Sequence, residues 1–382
     1  MLSTFVNILL FIFVVGLLVF IHELGHFLAA KSVKATIYEF SVGLGPKVFS
    51  KKKDDILYSI RLLPLGGYVK IAGDGDPEGE GQGKEDEDPN SLKNKSKLAQ
   101  AWVMCAGVIM NLLLSSIIYF IIIGTNGWTT SLSGEFKDFK PVIGEISYEE
   151  VEEIHYEGVV EGSGAEEAGI PEEGVIKEID GNELTYSFEI AEALEGKENS
   201  TAVVSICTEN ECGNYNITVS EEGYLGVMVY SNYIVNLSYE DSKVIAGFGH
   251  ILNVLKISGQ KISSLFADAK ETGDYGQVAN TFTGPVGIYL VLDYFKQFGF
   301  IGIFSVIADL SLSLAVMNIL PIPALDGGRV LILLIESMLK KDLNKKVEER
   351  IINISFALLM IFIVLILVKD LFTIENIKNM FQ

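Results

Sequence analysis

The stretch FVNILLFIFVVGLLVFIHELGHFLAA, residues 5–30, decides the fold because it joins a long apolar run to a charged motif. A helix needs about 20 apolar residues to cross a bilayer, and residues 5–21 together with the adjoining motif provide that length. No Lys or Arg precedes the run, which makes a cleaved signal peptide a poor interpretation. We therefore expect residues 1–30 to form a first transmembrane helix that keeps the motif.

Three further apolar runs predict transmembrane helices, because backbone groups in lipid must be hydrogen-bonded internally. They cover roughly residues 102–123, 298–320 and 351–368. We assign these helices to residues 98–123, to 298–330 with the motif that ends the third run, and to 351–369. The fold class predicted from these runs is a multi-pass α-helical membrane protein with four transmembrane helices.

Composition agrees with a membrane protein and excludes one class of partner. Of the 382 residues, 49% are hydrophobic, yet the formal net charge is −21. Apolar and acidic residues must therefore be segregated along the chain. So negative a chain is not expected to bind nucleic acid, whose phosphates require clustered Lys and Arg.

Basic residues predict the orientation in the membrane, since loops rich in Lys and Arg stay in the cytoplasm. The segments after the first and third runs are the basic ones, with Lys31, Lys34, Lys47, Lys51, Lys52, Lys53, then Arg329, Lys340, Lys341, Lys345, Lys346 and Arg350. We expect residues 31–97 and the basic loop 331–350 in the cytoplasm. The N-terminus, residues 124–297 and the tail 370–382 are then outside.

The first cytoplasmic segment predicts a β region and then a linker. Residues 31–72 alternate like strands, notably at 56–63 and 68–71, with glycines that allow tight turns, so we expect a membrane-associated β-hairpin region. Residues 73–97 begin acidic and Gly-rich, which predicts a flexible linker. A calcium loop at Asp74, Asp76 and Glu78 is the alternative, but it lacks the rest of the EF-hand frame.

Residues 124–235 predict a separate α+β domain. Short strand candidates lie at 158–160, 175–179, 202–207 and 217–219, with helix candidates near 164–169 and 186–195. The stretch GVVEGSGAEEAGIPEEGVIKEIDGNEL, residues 158–184, resembles a PDZ domain in its turn glycines and core positions. That resemblance implies binding of extended peptides by strand addition; an α+β domain without a peptide groove is the alternative.

The outer segment also contains two cysteines and a stretch that follows the predicted domain. Cys207 and Cys212 flank a predicted hairpin turn on the side where disulfides persist, so a bridge and two free thiols are both open. Residues 236–297 are expected to be an extracytoplasmic linker with amphipathic helices.

The motif His22-Glu23-Leu24-Gly25-His26 carries the chemistry. On a helix, residues i and i+4 share a face, so His22 and His26 can direct two imidazoles at one zinc ion. Glu23 can accept a proton from a water on that zinc. A pair of interfacial histidines beside a snorkelling Glu is the structural alternative; ionisable groups at this depth are costly and usually functional.

A catalytic zinc takes three protein ligands, so a third is required. His155 and His250 are assigned to the outer side and are poor candidates. Asp326 ends the third run on the cytoplasmic side, where Pro321 and Pro323 break the helix. Gly327 and Gly328 are expected to let the backbone turn sharply afterwards. Without zinc, a solvated aspartate at a helix end would be the default interpretation.

Taken together, separated motifs resemble the site-2 protease family of intramembrane metalloproteases, in particular its bacterial RseP type. They are HELGH, SVGLGPKVF at 41–49, LPLGGYVKIAG at 63–73, AGVIMN at 106–111, TGPVGI at 283–288, NILPIPALDGGR at 318–329 and KKVEERI at 345–351. The resemblance implies His22, His26 and Asp326 as zinc ligands and Glu23 as general base. It also implies that Asn318 holds the substrate backbone or the oxyanion.

The same resemblance implies a location, substrates and partners. The protein would lie in the bacterial cytoplasmic (inner) membrane, with its zinc site toward the cytoplasm. It would cleave transmembrane segments of single-span proteins, such as anti-sigma factors or signal-peptide remnants, in regulated intramembrane proteolysis. An upstream site-1-type protease would act first on the same substrate, the hairpin would present it, and the PDZ-like domain would act as a size filter.

Three positions depart from the family pattern. The chain has one PDZ-like unit where relatives often have two, and Val108 follows Gly107 where a Pro is common. Asp309 lies within the third run, where the family is usually apolar, and sequence alone assigns it no role. A non-catalytic peptide-binding scaffold and a metal transporter are the competing hypotheses. The complete set of ligands and base favours the enzyme over the scaffold, and the sequence shows no second intramembrane metal cluster of the kind expected for a transporter.

Overall fold

The computed structural model describes residues 2–73, 88–208, 211–341 and 343–372. The chain divides into two compact units. The first combines Met1–Ile122 with Gly247–Gln382 and is called the membrane unit below; the second is Ile123–Ala246 and is called the inserted unit. The predicted linker residues 74–87 and the tail residues 373–382 lie outside the described residues.

The described part of the chain contains both α-helices and β-strands. The helices are α1 Leu2–Ser32, α2 Lys97–Thr125, α3 Gly164–Glu167, α4 Glu189–Leu194, α5 Ala246–Thr272, α6 Gly276–Asn280, α7 Pro285–Phe295, α8 Gly299–Ile319, α9 Asp326–Leu339 and α10 Lys345–Phe372. The strands are β1 Ile37–Lys53, β2 Ile56–Ile71, β3 Thr129–Leu132, β4 Glu145–Glu150, β5 His155–Val159, β6 Glu173–Ile179, β7 Asn182–Glu183, β8 Thr201–Cys207, β9 Cys212–Thr218, β10 Val227–Val229 and β11 Tyr233–Ser238.

Four helical segments are long and apolar enough to cross a membrane, as the sequence predicted. They are Val6–Ser32, Lys97–Thr125, Pro285–Ile319 and Lys346–Phe372. The third is longer than expected, because α7 joins α8 through a short 3-10 turn at Lys296–Phe298. The chain is therefore a multi-pass membrane protein.

The predicted third helix over 298–330 and the predicted basic loop over 331–350 are wrong. Helix α8 ends at Ile319, and Leu320 is already extended, as a residue before proline prefers. A second helix, α9, then begins at Asp326. The basic residues of this segment belong to α9, α10 and the few residues between them.

Gly327 and Gly328 also act differently from the prediction. They are helical residues in the first turn of α9 and do not turn the chain. A Cβ on Gly327 would lie 2.2 Å from the Ile319 carbonyl oxygen, and one on Gly328 would lie 2.0 Å from that of Ile322. These glycines therefore let the start of α9 pack directly against the end of α8.

The β region of the membrane unit is two long, bent antiparallel strands. The two separate runs expected at 56–63 and 68–71 form one continuous strand, β2. The start of β1 pairs on both of its edges: Ser41 lies opposite Tyr68 on one side and Ser59 on the other. The region packs against α1 through Phe27 and Phe40, whose ring centroids are 5.3 Å apart.

A charged network lies inside this β region around Glu39. Burial opposes ionisation of Glu39, but hydrogen bonds from Ser59, Lys47 and Arg61 outweigh it and lower the pKa of the carboxyl. Ser59 donates to Glu39 at 2.5 Å and Lys47 at 3.1 Å. A carboxylate satisfied in this way is stable although only 8% of Glu39 is exposed.

The flexible linker predicted over 73–97 is wrong for its described end. Leu92 is buried, and its backbone N–H donates to the Ala72 carbonyl at 2.7 Å. The Asn90 carbonyl accepts from Thr36 N–H at 3.2 Å. This end of the segment is therefore tied to both ends of the β region.

The inserted unit contains a six-stranded and a three-stranded sheet. The first has the order β10-β5-β6-β8-β9, with β7 paired to β6, and the second has the order β3-β11-β4. In β8, the side chains of Ala202, Val204 and Ile206 point alternately into the core, which is the period-2 pattern of a half-buried strand. Cys207 and Cys212 form a disulfide.

The boundary predicted at residue 235 cuts through a strand. β11 is the central strand of the three-stranded sheet and pairs with β3 and β4 through Ser238. The chain therefore stays in the inserted unit until Ala246, where α5 begins. The remainder of the segment predicted as linker and amphipathic helices is largely α5, α6 and α7.

One buried carboxylate connects the last helix to α7. Asp370 of α10 is fully buried, and its Oδ2 accepts from the backbone N–H groups of Gly284 and Gly287 at 3.0 and 3.1 Å. Unpaired N–H groups at a helix start favour such an anion. Asp370 therefore caps α7 from a helix more than eighty residues away in sequence.

We expect Asp370→Ala to lower the free energy of unfolding by about 1–3 kcal/mol, because it leaves two buried N–H groups without an acceptor. Thermal unfolding of the detergent-purified protein measures this as a lower Tm. Asp370→Asn keeps an amide oxygen at the same place and should lose less. An Asp370→Ala protein that melts with the parent chain would contradict the cap.

Candidate active site

Helix α1 places the two histidines of the motif side by side. His22 and His26 are one helical turn apart, and their Nε2 atoms lie 3.2 Å from each other. Both side chains are largely buried, with 13% exposed. Two imidazole nitrogens this close, directed at the same point, indicate a shared ligand.

Asp326 reaches the same point from α9. Its Oδ2 lies 3.2 Å from His22 Nε2 and 3.3 Å from His26 Nε2. It is the first residue of α9, so the packing of α9 against the end of α8 sets its position. The structure thus brings Asp326 to two histidines that lie 300 or more positions earlier in the sequence.

The three donor atoms fit a zinc ion in type and spacing. Nitrogen and oxygen donors about 2.0–2.1 Å from one tetrahedral centre lie about 3.3 Å apart, which agrees with the three measured distances. Asp326 Oδ2 is buried and has no hydrogen-bond partner among the residues that the structure describes. Within the described residues, this is the one group of three or more His, Cys, Asp or Glu able to hold a metal.

Helix α2 orients the imidazoles from behind. His26 Nδ1 lies 2.8 Å from the Val103 carbonyl oxygen, which fixes the proton on Nδ1 and leaves Nε2 with its lone pair. His22 Nδ1 lies 3.3 Å from Nδ2 of Asn111, which is fully buried. Asn111 Oδ1 has no hydrogen-bond partner in the described part of the chain. A 180° rotation of the amide would let Oδ1 accept from Nδ1–H, which suits a metal-binding Nε2.

Two glycines make this approach of α2 to α1 possible. A Cβ on Gly107 would lie 2.4 Å from His26 Nε2 and 2.7 Å from His22 Nε2. A Cβ on Gly25 would lie 2.3 Å from the Ala106 carbonyl oxygen. Any side chain at either position would push the helices apart or enter the space between the donors.

Sequence reasoning missed Val103 and Asn111 as part of the site. Asn111 belongs to the AGVIMN motif, and it lies one turn after Gly107, on the face of α2 that meets α1. This i, i+4 spacing was the available signal. The contact of Val103 is through its backbone, which leaves no residue-type signature.

Glu23 and Asn318 are both half-buried but lie on different helices, α1 and α8. Glu23 is half-buried, and a Cβ on Gly67 of β2 would lie 3.2 Å from its Cγ, so β2 passes directly over it. Asn318 is half-buried at the last turn of α8, eight residues before Asp326. The side chain of Glu23 thus lies on the face of α1 that β2 covers.

Asp309 and His250 both contact Tyr119. Tyr119 of α2 donates to Asp309 Oδ1 at 2.5 Å, and its ring lies 4.6 Å from that of His250 on α5. This contact explains how a carboxylate is tolerated within α8. His155 is exposed on β5 in the inserted unit.

Comparison with known proteins identifies the family of the chain. The profile of Peptidase family M50 matches residues 10–362. A Fusobacterium nucleatum protein named as a zinc metalloprotease is 33% identical over 373 residues, covering 96% of this chain and 99% of that protein. A Clostridium acetobutylicum protein of the same description is 31% identical over 371 residues, covering 96% and 98%.

A third relative has a more specific name. It is the regulator of sigma-W protease RasP of Bacillus subtilis, which is 28% identical over 424 residues, covering 96% of this chain and 99% of that protein. The profile match and the relatives extend over almost the whole chain, including α1, α2 and α9. This chain therefore belongs to peptidase family M50, and it is a zinc metalloprotease of the site-2 protease type.

Proposed function

We propose that the protein cleaves transmembrane segments of single-span membrane proteins, with His22, His26 and Asp326 as zinc ligands and Glu23 as general base. One observation carries the proposal. Three donor atoms lie 3.2–3.3 Å apart, and two of them are on a helix apolar enough to span a membrane. Ionisable groups in such a segment are costly and usually functional.

The chain supplies the proton chemistry around the metal. A zinc ion held there would act as a Lewis acid and lower the pKa of water at its open position to about 7. Glu23 directly follows His22 on α1, which suits it to remove a proton from the attacking water. The same carboxyl can then deliver that proton to the leaving amine, so the peptide bond breaks with no net gain or loss of protons.

Asn318 is proposed to hold the substrate. An amide N–H₂ donates hydrogen bonds, so it can bind the substrate carbonyl oxygen or the oxyanion that forms from it. Its place at the end of α8, just before the segment that leads to Asp326, supports this role.

A substrate helix must unwind locally before it is cut, because helical hydrogen bonds occupy its carbonyls. The β region is proposed to stabilise the unwound stretch by strand pairing. Its position supports this, since β2 passes over Glu23 at Gly67.

The inserted unit is proposed to be a PDZ-like domain that limits access by bulky substrates. A sheet with a short helix, α4, beside its edge strand β10 supports this assignment. The RasP name supports anti-sigma factors as a substrate class, with signal-peptide remnants as a second class. An upstream site-1-type protease is proposed to trim the substrate first.

The basic segments support an orientation with the zinc motif toward the cytoplasm and the inserted unit outside, in a bacterial cytoplasmic membrane. A membrane-impermeant maleimide tests this on intact cells. Glu221→Cys should be labelled without permeabilisation and Lys52→Cys only after it. The parent chain, whose free Cys105 lies in α2, gives the background. The reverse labelling pattern would overturn the orientation.

Glu23→Gln should reduce cleavage of a single-span substrate in membranes by at least about a hundredfold, because it removes the general base. Bound zinc should stay near the parent level, since Glu23 is not a proposed ligand. Cleavage is followed by gel mobility of the substrate, and zinc by elemental analysis. A variant that cuts like the parent chain would overturn this role.

His22→Ala and Asp326→Ala should each lower bound zinc well below one ion per chain, because a two-donor site is weak. His155→Ala is the matched control: it removes an exposed histidine of the inserted unit and should leave zinc content and cleavage unchanged. Unchanged zinc in His22→Ala would refute the ligand assignment.

Asn111→Ala should lower zinc affinity about 10–100-fold, because it removes the partner that orients His22. Competition with a chelator of known affinity measures the change. Leu113→Ala, at an exposed position of the same helix, is the control. Equal zinc retention by both variants would show that Asn111 does not act through His22.

A further inference from the structure

The inserted unit contains an apolar groove that the proteolytic site does not use. It has a volume of about 500 Å³ and lies between α4 and β10. The lining residues of α4 are Ile190, Ala191 and Leu194. On the other side the groove is lined by Val227 and Val229 of β10 and by Leu225, which precedes β10. Leu194 and Leu225 are almost fully buried, so the floor of the groove is continuous with the domain core.

One wall of this groove is an edge strand. β10 ends the order β10-β5-β6-β8-β9 and pairs with β5 through Val227 opposite Val159. The other edge of β10 faces α4 across the groove. An extended peptide can pair with such an edge and direct every second side chain into the apolar space.

The net negative charge of the protein is concentrated in the inserted unit. Residues Ile123–Ala246 contain 26 Asp and Glu and 5 Lys, a net charge of −21, which equals the net charge of the whole chain. The membrane unit is therefore neutral overall, with 24 acidic and 24 basic residues. Any ligand of the inserted unit approaches through a strongly negative field.

Acidic residues stand next to the groove, and most lysines of the unit are already paired. Exposed carboxylates directly adjoin the lining residues: Glu161 follows Val160, Glu195 follows Leu194, and Glu221 and Glu222 lie between Ser220 and Gly223. Four of the five lysines of the unit pair with carboxylates: Lys137 with Asp138 and Glu192, Lys177 with Glu153, Lys197 with Asp180, and Lys243 with Glu240.

We propose that the groove between β10 and α4 binds an extended peptide segment whose alternate apolar side chains are flanked by Lys or Arg. The apolar groove favours apolar side chains that point inward, and the carboxylates beside it favour Lys or Arg side chains that point outward. Acidic segments of otherwise equal shape are repelled. This inference rests on the proposed PDZ-like role of the inserted unit and adds a charge preference to it.

Fluorescence polarisation on the full chain in detergent tests the preference. Two labelled decapeptides share the same alternating Val and Leu positions and differ only in having Lys or Glu at the remaining ones. At low salt the Lys peptide should bind at least about tenfold more tightly, and the ratio should fall toward unity as salt screens the carboxylates. Equal binding of both peptides, or tighter binding of the Glu peptide, would overturn the proposal.

Three substitutions in the inserted unit test whether the Lys peptide binds in the groove. Ala191→Trp fills the groove from an exposed position of α4 and should abolish binding of the Lys peptide. Glu222→Lys reverses one charge beside the groove and should weaken it severalfold. Glu211→Lys makes the same change at the β8–β9 end of the sheet, away from β10, and should have little effect. Equal weakening by both charge reversals, or undiminished binding by Ala191→Trp, would overturn the groove as the site.

Failure here and failure of the proposed protease activity are distinguishable. The Glu23→Gln comparison changes a residue of the membrane unit and uses a single-span substrate rather than a free peptide. Cleavage that requires Glu23, together with no discrimination between the two peptides, would remove the groove proposal and leave the protease standing.

Discussion

The close contact between α1 and α2 is the constraint on which the rest of the site depends. Gly25 and Gly107 remove the two Cβ atoms that would separate the helices, and the backbone of α2 can then lie against both imidazoles. Close backbone approach through small residues is the usual basis of helix packing in lipid, where no hydrophobic force brings helices together. The packing of α2 against α1 therefore helps to position the donor nitrogens.

The same contact determines which neighbours the histidines have. The Val103 carbonyl and the Asn111 amide reach the Nδ1 atoms of His26 and His22 only because α2 lies so near. Asp326 completes the set from a third direction, where α9 packs on the end of α8 through two more glycines. Two helix contacts, α1 with α2 and α8 with α9, thus hold the three donors. A substitution at any of these glycines would change the site without changing a ligand.

The sequence predicted the two histidine ligands and the membrane helix that carries them, because both depend on the spacing of nearby residues. The i, i+4 spacing of His22 and His26 and the apolar run before them indicated a metal site in a membrane helix. The role of Asn111, the partner of Asp309 and the cap made by Asp370 could not be predicted, since each depends on a contact between helices far apart in sequence. Helix α9 was missed because two prolines and two glycines were interpreted as a turn, whereas the glycines serve close packing.

The length of α1 has a consequence for where a substrate is cut. From Val6 to His22 the helix rises about 24 Å at about 1.5 Å per residue, so the donors lie at a fixed depth below that end of the span. A hydrocarbon layer is about 30 Å thick, and its thickness differs among membranes by a few ångströms. A substrate helix is anchored at the membrane surfaces by its own ends. Each 1.5 Å change in hydrocarbon thickness therefore moves it by about one residue relative to the donors. For a transmembrane substrate, as proposed above, a thicker or thinner membrane would therefore bring a different peptide bond to the donors.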